Sequence, residues 1–330
     1  MRPAQIAPVP APPAAPAVPV PLVGGKAPAP VGAGGQPLQR VEDLKKERKE
    51  VVEGGRTIIR EPDRTIIREG GTTIIRHNEV DRFRYNARNV VVEKRGAETV
   101  TVIERPDRTR IVTVVDDNGR LLRRIRRDAE GREVIIIDNR PRIGVVGLPI
   151  VVLPPPVIRI PRERYIVETE RASRDDIYAV LTAPPVERIE RPYTLEEIRY
   201  SPMLRERMPR IDIDTVTFES GSWEVGPEQI ERLAIIAEGM KQAIARNPRE
   251  VFLLEGHTDA VGADVDNLSL SDRRAEAVAV VLTDRFQVPA ENLTTQGYGE
   301  QQLKIQSDGP ERRNRRVTAR RITPLLAGEN

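Results

Sequence analysis

A change of period over residues 251–286 constrains this chain more than any other feature. Val251, Phe252, Leu253 and Leu254 make a short apolar run that reads as a strand and ends on the polar tip Gly256-His257-Thr258-Asp259. A loop of Gly, Asp and Asn follows, Gly262 to Asn267, and then Ala275, Val278, Ala279 and Leu282 recur at helical spacing. Ser269 and Ser271 are expected to N-cap that helix. The same alternation flanks this unit. Ile213, Val216 and Phe218 mark a strand near 211–218. Ile230, Leu233, Ala234, Ala237, Met240 and Ile244 form one apolar stripe between Pro227 and Asn247-Pro248. Short strands are predicted at 293–297 and 314–322. Strands separated by helices of this length need crossover connections. Residues 211–323 are therefore predicted to form one mixed β-sheet with two helices packed on one face, in an α+β chain.

The rest of the chain is organised differently. Residues 1–40 are rich in Pro and Ala, which predicts a disordered, polyproline-like tether. Residues 41–54 read as a charged linker helix with i,i+4 pairs Glu42/Lys46, Lys46/Glu50 and Lys49/Glu53 and little apolar face. From Arg56 the period falls to two. RTIIR spans 56–60 and recurs at 64–68, and TTIIR ends at Arg76, with turn residues between the copies. Further Ile/Val/Thr-rich strands are expected at 89–94, 98–104, 108–115, 120–127 and 132–138. Residues 55–140 are thus predicted to be an antiparallel hairpin repeat, an elongated ribbon whose Arg and Glu pair across strands. Residues 141–210 read as a Pro-rich connector with short helices, capped at Ser173 with Asp176 and at Thr194 with Glu197. Residues 324–330 read as a tail.

Composition removes several functions. There is no Cys, which excludes disulfides, thiol catalysis, Cys-ligated zinc and a lipid-modified Cys. Two histidines, His77 and His257, make no metal set, and the loop acids Asp264 and Asp266 lack the further ligands of a calcium loop. The 53 basic residues nearly balance 50 acidic ones, so nucleic acid is not expected as a partner. The longest apolar stretch, 143–158, is broken by Gly and Pro, so no membrane-spanning helix is predicted. Pro residues also occupy the place of a signal-peptide core near the N-terminus.

The strand tip and the following helix place a carboxylate, Asp259, and a guanidinium, Arg274, at one end of a strand–loop–helix unit. A carboxylate binds an ammonium group, and a guanidinium grips a carboxylate with two parallel hydrogen bonds. Such a pair can hold a zwitterion. A turn-capping Asp and a surface ion pair explain the same residues more blandly. Asn267 and the Arg315-Arg316 pair gather near the same end. No nucleophile motif accompanies them, so no catalytic residue, metal or cofactor is expected.

In order, GHTDxxG, NxxLSxxRA, GYGE and NRRV resemble the OmpA-like peptidoglycan-binding domain family, over roughly the last third of the chain. The resemblance implies a periplasmic domain that binds the diaminopimelate of the cell-wall stem peptide noncovalently, without catalysis. Carried over by position, it implies that Asp259, Arg274, Asn267, Thr258, Asn314, Arg315 and Arg316 form the peptidoglycan site. Three positions depart from the family pattern. A proline is missing after Gly299-Glu300, Pro310-Glu311 replaces a Gly-Arg, and Thr318 stands where Glu is common. The implied function is anchoring of the outer membrane or an envelope assembly to the wall, on the periplasmic face of the outer membrane, with other envelope proteins as further partners. The alternative is a structural or adhesive envelope protein whose β-repeat is the main interaction surface.

Overall fold

The computed structural model describes residues 18–19, 40–140 and 151–327. The tether expected over residues 1–40 lies outside these, apart from the pair β1 (Val18–Pro19), which lies antiparallel to Val92 and Val91, and Arg40. Helix α1 (Val41–Glu47) is followed by four antiparallel strands in sequence order, β2 (Lys49–Glu53), β3 (Arg56–Arg60), β4 (Arg64–Glu69) and β5 (Thr72–His77). The helix expected over 41–54 therefore ends early. Arg48 is already extended, and Val51 and Val52 pair with Ile58 and Thr57 of the repeat. A strand ladder with β-branched residues outweighs i,i+4 ion pairs worth about 0.2–0.5 kcal/mol each. Nor is α1 wholly solvated, since Val41 and Leu44 are buried.

After the short α2 (Val80–Phe83), the meander resumes as β6 (Asn89–Arg95), β7 (Glu98–Glu104), β8 (Arg110–Asp116), β9 (Leu121–Arg127) and β10 (Glu133–Asp138). The expected single ribbon is thus two sheets, and both are packed. The registers Ile59↔Ile66 and Ile66↔Ile75 gather three isoleucines on one face of the first sheet. That face covers Val265 and Leu268 of the long C-terminal helix. Ile103 and Ile111 of the second sheet close over Val80, Phe83 and Ala290.

The C-terminal sheet contains β11 (Ile166–Glu168), β12 (Arg210–Ile213), β13 (Phe252–Gly256), β14 (Leu293–Gly297) and β15 (Val317–Arg321), in the order β11-β12-β15-β13-β14. Two neighbouring pairs, β11–β12 and β13–β14, are parallel and the rest antiparallel, so the sheet is mixed as the sequence predicts. Helix α3 (Arg162–Tyr165) leads into β11, and both come from the stretch read as a connector. So does α4 (Arg174–Thr182), capped reciprocally by Ser173 and Asp176. It joins the predicted pair of helices on one face, buries Ile177, Val180 and Leu181, and makes the helical layer three helices deep in sequence. On the opposite face α5 (Leu195–Tyr200), capped by Thr194 and Glu197, and α6 (Pro202–Arg205) cover Val251, Leu253 and Ile322 together with Ile136 and Ile137 of β10.

The predicted first helix is a turn, α7 (Pro227–Ile230), continuing through one 3-10 turn into α8 (Ala234–Arg246). The second is α9 (Asp264–Asp284). It starts five residues before the predicted serine caps. Its first turn carries Asp264 and Asp266, which suit the positive end of a helix, and its Val265 and Leu268 have an apolar surface to cover. Ser269 and Ser271 are interior and buried. α9 lies so close to the sheet that a Cβ on Gly256 would stand 1.8 Å from Ser271 O, and one on Gly297 2.4 Å from Asp272 N. The chain end expected as a tail from 324 instead forms α10 (Thr323–Ala327), with Leu325 buried.

Candidate functional site

β13 delivers the tip residues, and backbone bonds from two neighbours lock them. His257 N–H donates to Arg316 O at 3.0 Å, and Thr258 N–H donates to Gly299 O at 2.9 Å. Tyr298 N–H donates to Gly256 O at 3.0 Å. Asp259 follows at once and is 7% exposed. Its Oδ2 accepts from Arg315 Nη1 at 2.7 Å and, at 3.4 Å, from the Glu311 backbone N–H. The Thr258 hydroxyl is buried and has no hydrogen-bond partner.

Arg274 enters from α9 and is fully buried. Its Nε donates to Ser222 O at 3.0 Å and its Nη2 to Glu219 O at 3.2 Å, while the guanidinium lies 4.9 Å over the Phe218 ring. Nη1 has no partner. Burial and the nearby Arg315 charge hold its pKa down, at about 9, against the opposing pull of Asp259. Asp259 and Arg274 thus feel each other but are not bonded to each other. Each is oriented by other groups, which leaves a carboxylate and an unsatisfied guanidinium N–H at one end of the sheet.

The remaining predicted residues divide. Asn267 donates from Nδ2 to Glu300 Oε2 at 2.7 Å, so it ties the start of α9 to the loop after β14. Arg315 joins Asp259 directly. Asn314 turns away: its amide oxygen accepts from Ile305 N–H at 2.9 Å and its Nδ2 donates to Ile305 O at 2.8 Å, which staples the polar loop before β15. Arg316 donates from Nη2 to Gln302 O at 3.1 Å, and its burial lowers its pKa to about 10 against the pull of Asp212. These two side chains shape the loop. His257 stacks on Tyr298 with ring centroids 5.9 Å apart, and burial beside Arg316, Arg210, Arg205 and Arg320 holds it neutral. Asp266 is taken by Lys45 and Arg48, each at 2.8 Å. Among the described residues no cluster of His, Cys, Asp and Glu could hold a metal ion.

Sequence reading missed the partners that stand behind α9. Asp272 accepts from Arg64 Nε at 2.8 Å and lies 2.8 Å from His77 Nδ1. Arg273 is bound by Asp63 at 2.9 and 2.5 Å and by Glu61 at 3.1 Å. Glu276 bonds Arg82 and meets His77 at 3.4 Å. The arginines of the strands do pair across neighbours in places, as Glu104 with Arg110 at 3.1 Å. The inward ones reach instead across some 200 residues of sequence, as Arg64 does to Asp272. No local signal announces such a partner.

The fold defines a class first: a mixed-sheet α/β module with α4, α8 and α9 on one face, α5 and α6 on the other, and Asp259 and Arg274 at one end of the sheet. A family model described as the OmpA family matches residues 217–316. YfiB of Escherichia coli (strain K12) is 31% identical over 113 residues, which cover 34% of this chain and 68% of that protein. The chain belongs to the OmpA family. Outer membrane porin F of Pseudomonas aeruginosa is 36% identical over 112 residues, 33% of this chain and 31% of the porin, so the chain spans about a third of that relative's length. Peptidoglycan-associated lipoprotein of the same organism is 35% identical over 100 residues, 30% of this chain and 50% of the lipoprotein. Among solved structures, the peptidoglycan-associated lipoprotein of Burkholderia pseudomallei aligns at 24% identity and a TM-score of 0.28, covering 32% of this chain and 86% of that one. The C-terminal domain of Helicobacter pylori MotB aligns at 25% identity and a TM-score of 0.28, covering 32% and 80%. No helix among the described residues is long and apolar enough to cross a membrane.

Proposed function

We propose that the C-terminal module binds peptidoglycan noncovalently, by holding the free end of diaminopimelate in the stem peptide, and so anchors an envelope assembly to the wall. The observation that carries this reading is the unpartnered Arg274 Nη1, buried and within electrostatic reach of Asp259. Both groups are desolvated, so an amino acid's ammonium and carboxylate would meet fixed charges at strength water does not permit. In this reading Asp259 takes the ammonium, sharing its carboxylate with Arg315 or displacing it. Arg274 takes the carboxylate. The free Thr258 hydroxyl supplies a further hydrogen bond, and Asn267 fixes the loop that closes over the ligand. Asn314 and Arg316 contribute by holding the rim. Nothing in this arrangement activates a nucleophile, and the reading is one of binding without catalysis. The names of the relatives agree with it, one being a peptidoglycan-associated lipoprotein. They also support a place in the cell envelope, on the periplasmic face of the outer membrane, with envelope proteins as further partners.

The test is co-sedimentation of the full chain with purified peptidoglycan. Arg274→Ala and Asp259→Ala are each expected to weaken retention by about 30-fold or more, the usual cost of removing one partner of a buried charge pair. Wild-type retention by the double variant would sink the assignment.

A further inference from the structure

Contacts from residues 40–63 converge on the groups that hold Arg274. Arg40 forms an isolated antiparallel bridge with Ser222, and Val41 N–H donates to Gly221 O at 3.0 Å. The Glu42 carboxylate packs against the same turn, 3.2 Å from where a Cβ on Gly221 would stand. This turn supplies both carbonyls that orient the guanidinium, Glu219 O and Ser222 O. On the helix itself the neighbouring Arg273 is gripped by Glu61 and Asp63. One turn earlier, Ser269 donates its hydroxyl to Glu61 at 2.6 Å. At the start of α9, beside Asn267, Lys45 and Arg48 hold the Asp266 carboxylate. Leu44 is fully buried and seats α1 in place.

A guanidinium oriented by two backbone carbonyls is positioned only as well as the turn that carries them. We propose that residues 40–63 are a positioning arm for the ligand site, so that docking of the arm and binding of the stem-peptide zwitterion strengthen one another. This rests on the reading of Arg274 as the carboxylate grip. By linkage, whatever affinity the docked arm adds to the ligand, the ligand returns to the docking of the arm. An occupied site would therefore be felt in α1 and at Arg40.

Two variants of the full chain test this. Val41 is the first residue of α1, where proline is tolerated, and Arg40 is already extended at φ −133° and ψ 149°, as a residue before proline must be. Val41→Pro thus deletes the N–H bonded to Gly221 while keeping an apolar side chain. Lys45→Ala with Arg48→Ala releases Asp266. Each is expected to weaken binding of peptidoglycan and of free diaminopimelate by about three- to tenfold, the usual range for one or two lost hydrogen bonds. Without ligand, amide exchange across 219–223 should quicken while the sheet core stays protected. In the wild type, diaminopimelate should slow exchange at 41–48. Wild-type affinity in both arm variants, with Arg274→Ala still defective, overturns the arm and leaves the ligand reading standing. If Arg274→Ala itself binds like wild type, the ligand reading fails, and with it the proposed coupling.

Discussion

The two sides of α9 are held by opposite physics. Toward the C-terminal sheet it presents Ala275, Val278, Ala279 and Leu282, which join an apolar core with Phe252, Leu254, Val317 and Ala319. Toward the N-terminal sheet and α2, beyond the small apolar patch of Val265 and Leu268 at its start, it presents Ser269, Asp272, Arg273 and Glu276, all engaged with Glu61, Asp63, Arg64, His77 and Arg82. Apolar burial is non-directional and supplies most of a domain's stability. A buried ion network contributes far less, because desolvation offsets most of the attraction. Its geometry is demanding, however, and a shift of one residue in register would leave several charges unpaired. The first side makes the module fold, and the second decides where the N-terminal sheet sits on it. That division matters for function, since the ionic side adjoins Arg274.

Three measurements test whether the two sides differ in this way. The largest effect is expected on the apolar side. Phe252→Ala should cost about 3–5 kcal/mol and lower the unfolding midpoint of the whole module in denaturant. A drop below about 1 kcal/mol would mean that the core is not where stability resides. Next comes Asp272→Asn, which keeps an oxygen for Gly297 N–H but removes the charge between Arg64 and His77. It should cost about 3 kcal/mol. Amide exchange should show β3–β5 loosening first while β13 and β14 remain protected. Simultaneous loosening of both sheets would show that the two sides are one cooperative unit.

The third effect is one of pH. Asp272 and its hydrogen bond, with Glu276, raise the His77 pKa to about 9 against the opposing pull of burial. A histidine whose folded pKa is raised adds stability fully below its unfolded value near 6.5. That stability is lost as pH climbs through about 9. The contribution is on the order of 3 kcal/mol. Docking of the N-terminal sheet should therefore weaken between about pH 6.5 and 9.5, read as amide exchange in β5 rising more steeply than its intrinsic base-catalysed rate. His77→Gln should flatten that rise. An unchanged pH profile in the variant would remove His77 from the network.

Much of the module is legible in the sequence, for local reasons. The apolar run Val251 to Leu254, ending on a polar tip, set β13, the stripe from Ile230 to Ile244 set the first long helix, and Ser173 and Thr194 set two capped starts. The hairpin repeat was equally plain, because each Ile-rich strand lies next to its partner along the chain. What could not be read were commitments to distant partners. Ser269 and Ser271 looked like caps because Ser is common there, and only the isoleucines of the first sheet explain why the helix begins at Asp264. Residues 162–208 looked like a connector because prolines punctuate them. In place, they supply an edge strand and cover both faces of the sheet.

The candidate site shows the same boundary. The order of Asp259, Asn267, Arg274 and Asn314-Arg315-Arg316 in the chain, with their residue types, was enough to nominate a zwitterion clamp. Proximity along a strand–loop–helix unit is a local property, and sequence determines it. Tertiary structure decided which members face one another. It set Arg315 on Asp259, gave Asn314 and Arg316 to the loop, left Arg274 Nη1 unpaired, and placed the turn 219–222 behind the guanidinium and the N-terminal arm behind the turn. Those choices depend on side chains of opposite charge meeting across long separations. Their energies exist only once the chain has excluded water between them, so no stretch of sequence carries them alone.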